Sequence, residues 1–368
     1  MRFRVSAPGK SILMGEHAAV YGRPALVAAV DRRVTAEISP PVAPGVWLEL
    51  PQVGVSAAVG WPAIHSYRLA ARARWKACDR SPNPGSFHRL RGEDPAHLVK
   101  VALGETAAFL GQARGPDFTL RLDSRIPIGA GFGSSAAVAV AVACAYLAFR
   151  GYAPPPEELH RLTLAIERRQ HGRPSGIDNA TVIYGGLVWA ERDPGGELVT
   201  TPLTSRPPVL DRLRVFHSGA PGESTGEVVA AVRRRHGAEP QRCGELIDRM
   251  EAATRGFRGA LKATPATPAR IIALIREFEA CLEELGVVPR RVKEIVRRVE
   301  EHGGAAKISG AGSLTGPGAG SLLVYHPQPA KINGWDFLRP LTPLDLWLGA
   351  PGVWLEEPGP TFGDRTAS

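Results

Sequence analysis

The sequence predicts a chain of two domains in which helices and strands are mixed. It has 368 residues, a length that favours two hydrophobic cores over one. Short strand-like segments alternate along the chain with longer segments whose apolar residues recur at helical spacing. Residues 191–210 are rich in Pro and Gly, as expected of a hairpin followed by a linker. We therefore predict one domain over residues 1–205 and a second over residues 206–368.

The composition is typical of a globular protein in a reducing compartment. Hydrophobic residues make up 44% of the chain and charged residues 22%. The cysteines are scattered without a C-x-x-C spacing, so the sequence does not support a zinc site. The N-terminus lacks the apolar region of a signal peptide, and the longest apolar run, 136–149, is too short to span a bilayer. We expect a cytoplasmic protein without a membrane partner.

The chain is basic, with a formal net charge of +9. A basic surface can attract nucleic acid, but no basic motif interleaved with aromatic residues accompanies the charge. A positive balance suits small acidic substrates equally well. We therefore expect a small-molecule substrate and no nucleic-acid partner.

The first half of the chain begins with strand-like segments. Between these and the predicted central helix lies a segment with little periodicity in its apolar residues. Residues 46–91 give a poor signal, with helical character only near 68–75. Residues 95–110 carry apolar side chains on one helical face and predict a helix. The other elements predicted in this half are strands over 3–7 (ending at Pro8), 27–30, 34–38, 118–122 and 187–190, and a helix over 156–169.

The stretch around which the chain is organised reads I-P-I-G-A-G-F-G-S-S-A-A from Ile126 to Ala137. Glycines at alternate positions let a backbone pass close to a ligand. Ser134 or Ser135 is expected to cap the apolar helix that follows. Because a helix N-terminus presents free N–H groups and a partial positive charge, this stretch favours a phosphate site. The alternative is a tight turn into a buried helix.

Two familiar nucleotide-binding motifs are excluded by their spacing. The segment G-A-G-F-G-S at 129–134 places its third glycine one residue too early for the G-x-G-x-x-G motif of a dinucleotide-binding fold. The tripeptide Gly9-Lys10-Ser11 is similar to the end of a Walker A loop, but the glycine required before it is replaced by Arg4.

Four charged residues occur where a charge is costly or unexpected. Lys10 and Glu16 lie in an otherwise apolar, Gly-punctuated segment, so they are either exposed or functional. Glu167 lies in the last turn of a predicted helix, where a carboxylate opposes the helix dipole, and such local violations mark functional sites. Asp178 follows the loop H-G-R-P-S-G-I, and the alternative interpretation of Asp178-Asn179 is a helix cap or an Asx turn.

The second half is predicted to be mainly helical, with a second glycine-rich loop. This loop, at 307–320, reads K-I-S-G-A-G-S-L-T-G-P-G-A-G. The tail after 326 is rich in Pro and Gly and gives no clear pattern. The elements predicted here are strands over 213–217 and 321–325, a helix from a cap at Ser224 or Thr225 to about 235, and helices over 243–262, 269–285 and 289–302.

Four segments together resemble the signature motifs of the GHMP small-molecule kinases. They read A-P-G-K-S-I-L-M-G-E-H-A-A-V-Y-G at 7–22, P-I-G-A-G-F-G-S-S-A-A at 127–137, E-R-R-Q-H-G-R-P-S-G-I-D-N at 167–179 and K-I-S-G-A-G at 307–312. Within that family the G-E-H-A-x-V-Y-G and H-G-x-P-S-G-I-D-N elements are most similar to the mevalonate kinases. The resemblance is weakest over 46–95 and after 326.

The resemblance implies an α+β, two-domain GHMP kinase fold. The N-terminal domain would be related to the second domain of ribosomal protein S5, and the C-terminal domain would be ferredoxin-like. ATP would lie between them, with Gly310, Ala311 and Gly312 closing over its phosphates. The residues implied to hold those phosphates on the first loop are Pro127, Gly129, Ala130, Gly131, Gly133, Ser134 and Ser135.

The resemblance also implies the roles of individual residues. Glu167 and Ser135 would hold Mg²⁺. Asp178 would be the catalytic base, and Lys10 would stabilise the reacting oxygen and pair with Asp178. The residues implied to bind the acceptor are Lys10, Glu16, His17, Asp178 and Thr225.

The chain departs from the family pattern in two places. Where mevalonate kinases usually have Arg before the Ser-Thr of the acceptor element, this chain has Glu223. A carboxylate there would repel an anionic acceptor and would suit a cation or a polyol better. In addition, the second glycine loop is about five residues longer than usual by comparison with the motif, and we expect it to be floppier.

The implied reaction is ATP-dependent phosphorylation of a small-molecule alcohol, with mevalonate favoured as the acceptor and ATP and Mg²⁺ as cofactors. The alternatives are another GHMP kinase, acting on phosphomevalonate or a sugar, and a GHMP-fold sensor that binds its ligand without catalysis. Intact Lys10, Glu167 and Asp178 favour an active kinase, because a pure binder needs no proton-accepting aspartate. The sequence leaves open whether the protein forms a homodimer.

Overall fold

The chain contains two sheets with helices packed against them, an α+β arrangement. The computed structural model describes residues 2–80, 89–90, 92–127, 130–203, 205–262 and 267–356. The first sheet contains β1 (Phe3–Met14), β2 (Ala25–Ser39), β3 (Val46–Leu50), β4 (Val55–Val59), β5 (Phe118–Ser124), β6 (Leu187–Arg192) and β7 (Leu198–Leu203). The second contains β8 (Leu213–His217), β9 (Ala305–Ser309), β10 (Ser321–Tyr325) and β11 (Thr342–Leu344), whereas β12 (Trp354–Glu356) belongs to the first.

The first sheet has the strand order β12-β1-β2-β5-β3-β4, with β6 paired to β2 and β7 paired to β6. Its longest strands, β1 and β2, form an antiparallel pair, whereas β3 and β5 pair in parallel. The second sheet has the order β11-β8-β10-β9, in which neighbouring strands are antiparallel.

The strand predicted to end at Pro8 is longer than expected. It continues through Pro8 to Met14, and the register with β2 shifts between Pro8 and Gly9. Such an irregularity accommodates a residue that has no N–H to donate to the ladder. The prediction that the strand ends at Pro8 is therefore wrong, and Lys10 lies on a strand rather than at a turn. The two strands predicted over 27–30 and 34–38 are likewise one strand, β2.

The helices of the first half pack against its sheet and against each other. The central helix α3 is apolar on nearly every side and is buried along most of its length, as a helix without a polar face must be. The helical character predicted near 68–75 is confirmed within a longer helix, and a helix after 176 was not predicted. The helices whose full extent lies within the described residues are α1 (Trp61–Arg80), α2 (His97–Phe109), α3 (Ser134–Phe149), α4 (Pro156–His171) and α5 (Ile177–Tyr184).

The helices of the second half match their predicted positions to within a few residues. They carry apolar stripes that are buried, such as Val292, Ile295, Val296 and Val299 on the last of them. Over residues 205–262 and 267–356 they are α6 (Thr225–Ala238), α7 (Pro240–Lys262), α8 (Pro268–Glu284) and α9 (Arg290–Glu301).

The tail contributes to both sheets. After β11 pairs with β8, the chain returns to the first sheet, where β12 pairs with β1 through Arg4 and Glu356. Residues 354–356 therefore pack with the first half, although they lie far beyond 205. The division of the chain into domains at 205 stays a prediction. Within the described ranges, none of the helices combines the length and the apolar character that crossing a membrane requires.

Candidate active site

The first glycine loop leads into α3 through two glycines in the left-handed region. Gly131 has φ 83° and Gly133, the residue before the helix, has φ 65°. No side chain of the described residues caps this helix, so the predicted capping by Ser134 or Ser135 is wrong. The N–H groups of the first turn remain directed out of the helix end, as an anion site requires. Pro127 and Ala130 flank the loop, whereas Gly129 lies outside the described residues.

Strand β1 runs directly against this loop. The Lys10 N–H donates to the Phe132 carbonyl oxygen over 2.9 Å. A Cβ added at Gly133 would come within 2.8 Å of the Lys10 side chain, so only glycine allows this close approach. The bond and the close packing hold the lysine beneath the N-terminus of α3.

Lys10 pairs with Asp178 across the site. The Lys10 Nζ lies 3.3 Å from Asp178 Oδ2, and the lysine side chain is buried whereas the aspartate is 37% exposed. Asp178 lies in the first turn of α5, where the helix dipole favours a carboxylate. The residue before this helix is Gly176, with φ 85°. Asp178 therefore lies within the helix, and the alternative interpretation of this residue as a helix cap or an Asx turn is wrong.

Glu167 is a buried carboxylate beside this pair. It is 3% exposed, and its Oε2 accepts a hydrogen bond of 3.3 Å from the Ser135 hydroxyl. Burial raises the pKa of Glu167 to about 8; the charge of Asp178 adds to the rise, and Ser135 and Lys10 act against it. Its Oε1 is buried without a hydrogen-bond partner among the described residues. An unsatisfied buried carboxylate oxygen of this kind is a candidate ligand for a cation.

His171 is a site residue that the sequence analysis did not single out. Its Nε2 lies 2.9 Å from Ser135 Oγ and 3.7 Å from Glu167 Oε2. It lies four residues after Glu167 on α4, a spacing that places both side chains on one face of a helix. That spacing is a signal from which the sequence could have indicated His171.

Glu16 is bound to the second half of the chain. Its Oε1 accepts a hydrogen bond of 2.5 Å from Lys307 Nζ, and both side chains are 1% exposed. Burial raises the pKa of Glu16, while the charge and the hydrogen bond of Lys307 oppose that rise. The expected role of Glu16 at the acceptor stays a prediction, but the described partner of its carboxylate is Lys307 on β9.

His17 adopts a strained backbone conformation, with φ 59°, the one positive φ of a non-glycine residue in the described ranges. Its Nε2 lies 2.9 Å from the Ala311 carbonyl oxygen. Because a carbonyl only accepts, Nε2 carries the hydrogen and Nδ1 of the neutral ring is left as an acceptor. Burial lowers the pKa of His17, with the Ala311 hydrogen bond acting in the opposite direction.

The second glycine loop lies against both β1 and the first glycine loop. Ser309 Oγ lies 3.2 Å from Ser11 Oγ and donates to the Ile12 carbonyl oxygen over 3.0 Å. Beyond the loop, Ser321 Oγ donates to the Ala130 carbonyl oxygen over 2.6 Å. Gly310 and Gly312 have positive φ values, and a Cβ at Gly312 would lie 2.1 Å from the Val287 carbonyl oxygen. The structure thus brings together the two glycine loops, of which the first was expected to hold the phosphates of ATP and the second to close over them.

The acceptor element at 223–225 begins a helix. Ser224 caps α6 in a capping box with Glu227. Of the two predicted caps, Ser224 is therefore confirmed and Thr225 is not. Thr225 is the first residue of α6 and is exposed, and its role at the acceptor stays a prediction. The Glu223 carboxylate accepts hydrogen bonds from residues 313–315 of the second glycine loop. These bonds give the carboxylate a partner on the loop, and the expectation that it faces the acceptor stays a prediction.

Comparisons with known proteins show which family this chain is similar to. The family model described as "GHMP kinases N terminal domain" matches residues 97–186. Mevalonate kinase of Bos taurus is 30% identical, and the match covers 95% of this chain and 93% of that protein. Mevalonate kinase of Thermococcus onnurineus is also 30% identical, over 97% of this chain and 99% of that protein. The crystal structure of the Methanococcus jannaschii mevalonate kinase superposes with a TM-score of 0.69 at 20% identity, covering 96% of this chain and 98% of that chain.

Proposed function

Since the chain belongs to the mevalonate kinase family of the GHMP kinases, we propose that it transfers the γ-phosphoryl group of ATP to mevalonate, forming 5-phosphomevalonate for isoprenoid precursor synthesis. The observation that carries this proposal is the buried Lys10 beside Asp178, 3.3 Å apart, at the N-terminal end of α3. The family membership further favours a cytoplasmic enzyme that acts on a small molecule, and a homodimer is the assembly to test.

In the proposed mechanism Asp178 accepts the proton of the acceptor hydroxyl. An alcohol is a poor nucleophile until that proton leaves, so a base must lie within hydrogen-bond reach of it. The adjacent Lys10 ammonium favours the ionised form of the carboxylate. It also attracts the negative charge that develops on the acceptor oxygen. A phosphoryl transition state is loose, so positioning of both groups by β1 and α5 contributes alongside proton transfer.

The phosphates of ATP are proposed to bind at the first glycine loop. The uncapped N-terminus of α3 supplies N–H donors and a partial positive charge. The residues proposed to line this position are Pro127, Gly129, Ala130, Gly131, Gly133, Ser134 and Ser135, with Gly310, Ala311 and Gly312 covering it from the second loop.

Glu167 and Ser135 are proposed to hold Mg²⁺. The Ser135 hydroxyl donates to Glu167 Oε2, and the buried Glu167 Oε1 has no hydrogen-bond partner in the described part of the chain. Mg²⁺ prefers oxygen ligands, and it binds through few protein groups together with phosphate oxygens and water. When bound, it would neutralise charge on the transferring phosphoryl group. A cation there would also stabilise the ionised form of Glu167, which burial disfavours.

The proposal is tested by measuring ATP consumption with mevalonate, phosphomevalonate and a panel of sugars as acceptors. Of these acceptors, we expect only mevalonate to be turned over. Phosphorus NMR and mass spectrometry would identify its phosphorylated product. The Asp178→Asn variant controls for contaminating kinases. Turnover confined to phosphomevalonate or to a sugar would assign the chain to another GHMP kinase. ATP binding without turnover of any acceptor would favour a sensor.

A further inference from the structure

The two departures of this chain from the family motifs are in direct contact. Glu223 lies between β8 and α6, and residues 313–315 lie in the long part of the second glycine loop. Glu223 Oε2 accepts hydrogen bonds from Ser313 Oγ over 2.8 Å and from the Leu314 N–H over 2.9 Å. Its Oε1 accepts a hydrogen bond from Thr315 Oγ1 over 2.5 Å. One carboxylate therefore binds three donors from three consecutive residues.

Residues 218–223, which we call the clamp strip, also bind the C-terminal end of the same loop. Ser218 Oγ donates to the Gly320 carbonyl oxygen over 2.9 Å and accepts from the Ala319 N–H over 3.0 Å. The Gly320 N–H donates to the Gly219 carbonyl oxygen over 2.9 Å. The middle and the C-terminal end of the loop are thus bonded to one short piece of chain.

The clamp strip and the loop pack too closely for side chains between them. A Cβ at Gly318 would lie 2.4 Å from the Gly219 backbone, and a Cβ at Gly222 would lie 2.8 Å from Thr315 Oγ1. Glycine at these positions permits backbones to meet directly. The expectation of a floppier loop does not fit this packing, since the loop is bonded along its length.

The clamped loop is connected to the first glycine loop. Ser321, immediately after it, donates to the Ala130 carbonyl oxygen over 2.6 Å. Near the start of the loop, Ser309 packs against β1, and a Cβ at Gly131 would lie 3.4 Å from the Ser309 carbonyl oxygen. A shift of the second loop would therefore change its distance from the first loop.

We propose that Glu223 is a positioning residue that fixes the long second glycine loop on the clamp strip and thereby sets its position over the first glycine loop. The part concerning ATP rests on the proposed function, because the two loops are the proposed phosphate site. The contact between Glu223 and the loop does not depend on the identity of the acceptor.

An ionised carboxylate is the side chain suited to this position. It offers two oxygens and only accepts, which matches two hydroxyl donors and one N–H donor. Burial acts to raise the pKa of Glu223, but hydrogen bonds from Thr315, Leu314 and Ser313 outweigh it, so the pKa lies below its ordinary value. Glutamine would keep the shape but would have one accepting oxygen and would lack the charge that strengthens these bonds.

The position of the loop is tested without ATP by limited proteolysis with thermolysin. Leu314 is 40% exposed, and its N–H is one of the groups bonded to Glu223. We expect Glu223→Ala to speed cleavage at Leu314 by about tenfold or more, because local opening no longer breaks three charge-assisted bonds. Glu223→Gln should give an intermediate rate. Glu301→Ala, which removes an exposed carboxylate at the end of α9, is the control and should cleave as the wild type does.

The functional part is tested by separating ATP from acceptor effects. We expect Glu223→Ala and Thr315→Val each to weaken ATP binding by about threefold to tenfold, through loss of loop order, with the KM for mevalonate unchanged. Because the two residues share one contact, the double variant should be little worse than Glu223→Ala. Circular dichroism confirms that each variant is folded, and Glu223→Gln serves if the alanine variant is not.

Two outcomes would overturn the proposal. Unchanged cleavage at Leu314 in Glu223→Ala and Glu223→Gln would show that the carboxylate does not hold the loop. A change confined to the KM of the acceptor would return Glu223 to the acceptor pocket. If the chain phosphorylates no mevalonate, the proteolysis result still stands, so failure of the proposed function is distinguishable from failure of this inference.

Discussion

At the scale of the residue, the ion pair between the buried Lys10 and Asp178 is the proposed catalytic unit. We predict that Asp178→Asn and Lys10→Met each lower kcat by about 100-fold or more, because proton transfer and stabilisation of the developing alkoxide are lost. The KM for ATP should change little. The double variant should be little worse than the worse single variant, since the residues act as one unit.

The control for this pair is Lys100→Met. It removes a lysine that forms an ion pair with Asp94 elsewhere in the first half, so it should keep wild-type kcat. Strict additivity of the two losses would show that Lys10 and Asp178 act independently. A normal kcat in Asp178→Asn would leave no role for a catalytic base.

A second prediction at this scale concerns Glu167. Glu167→Gln keeps the shape of the side chain and removes its charge, so we expect a large loss of turnover that excess Mg²⁺ partly restores. The Mg²⁺ concentration at half-maximal rate should rise by about tenfold. Glu157→Gln, an exposed change on the same helix, should leave the Mg²⁺ dependence unaltered. Wild-type activity of Glu167→Gln at low Mg²⁺ would assign the carboxylate to structure.

At the scale of the element, the first glycine loop depends on backbone conformations that side chains resist. We predict that Gly131→Val weakens ATP binding by about tenfold or more, since it adds a branched side chain at φ 83° beside the proposed phosphate position. The added Cβ would also lie 3.4 Å from the Ser309 carbonyl oxygen of the second loop. Calorimetric titration with ATP measures the effect.

The matched control for this prediction is Gly111→Val. Gly111 has a similar φ of 70°, but nothing lies within 4 Å of an added Cβ. Both variants should lose a similar amount of stability from backbone strain, whereas only Gly131→Val should lose ATP affinity. Equal ATP affinity in the two variants would exclude the first glycine loop from the nucleotide site.

At the scale of the whole molecule, a buried ionic cluster joins the two sheets. Lys307 on β9 bonds Glu16, which follows β1. Glu279 on α8 lies beside Lys307 and accepts from the Ile308 N–H over 3.0 Å. Burial raises the pKa of Glu279 to about 8, opposed by Lys307 and by the Ile308 hydrogen bond, while Glu283 and Glu16 add to the rise.

The raised pKa of Glu279 predicts a pH-dependent stability. At a pH below the ordinary pKa of a glutamate, near 4.5, the carboxyl is protonated in both states and contributes nothing. As the pH rises towards about 8, the unfolded chain ionises while the folded chain stays protonated, so stability is lost through this window. Above it the loss is constant.

We therefore expect Glu279→Gln to be more stable than the wild type at pH 8 and about equal at pH 5. The difference should be of the order of a few kcal/mol, given the size of the shift. Urea unfolding at each pH measures it, with Glu301→Gln as an exposed control. A stability difference between Glu279→Gln and the wild type that does not vary with pH would mean that Glu279 does not titrate in this window.

Local sequence patterns predicted most of the helices and many of the candidate site residues of this protein. Helical spacing located most of the helices, and the glycine-serine loop before α3 indicated the candidate phosphate site. Lys10, Glu16 and Glu167 stood out because charges in apolar or dipole-opposed positions are costly, and Asp178 stood out because it follows a loop rich in Gly and Pro. Each of these signals lies within a few residues of chain, so the sequence alone could carry it.

Only the tertiary structure decided which of these residues meet. Glu16 and Lys307 are 291 residues apart and Glu223 and Thr315 are 92 apart, so no local pattern could pair them. Strand β1 continues through Pro8 because β2 lies beside it and tolerates a register shift. Asp178 lies on a helix because α5 packs against α3, α4 and β1, contacts that outweigh the loop-forming character of the residues before it. Burial and long-range pairing are properties of the folded chain, and they gave Glu223 a partner on the second glycine loop that its local sequence did not indicate.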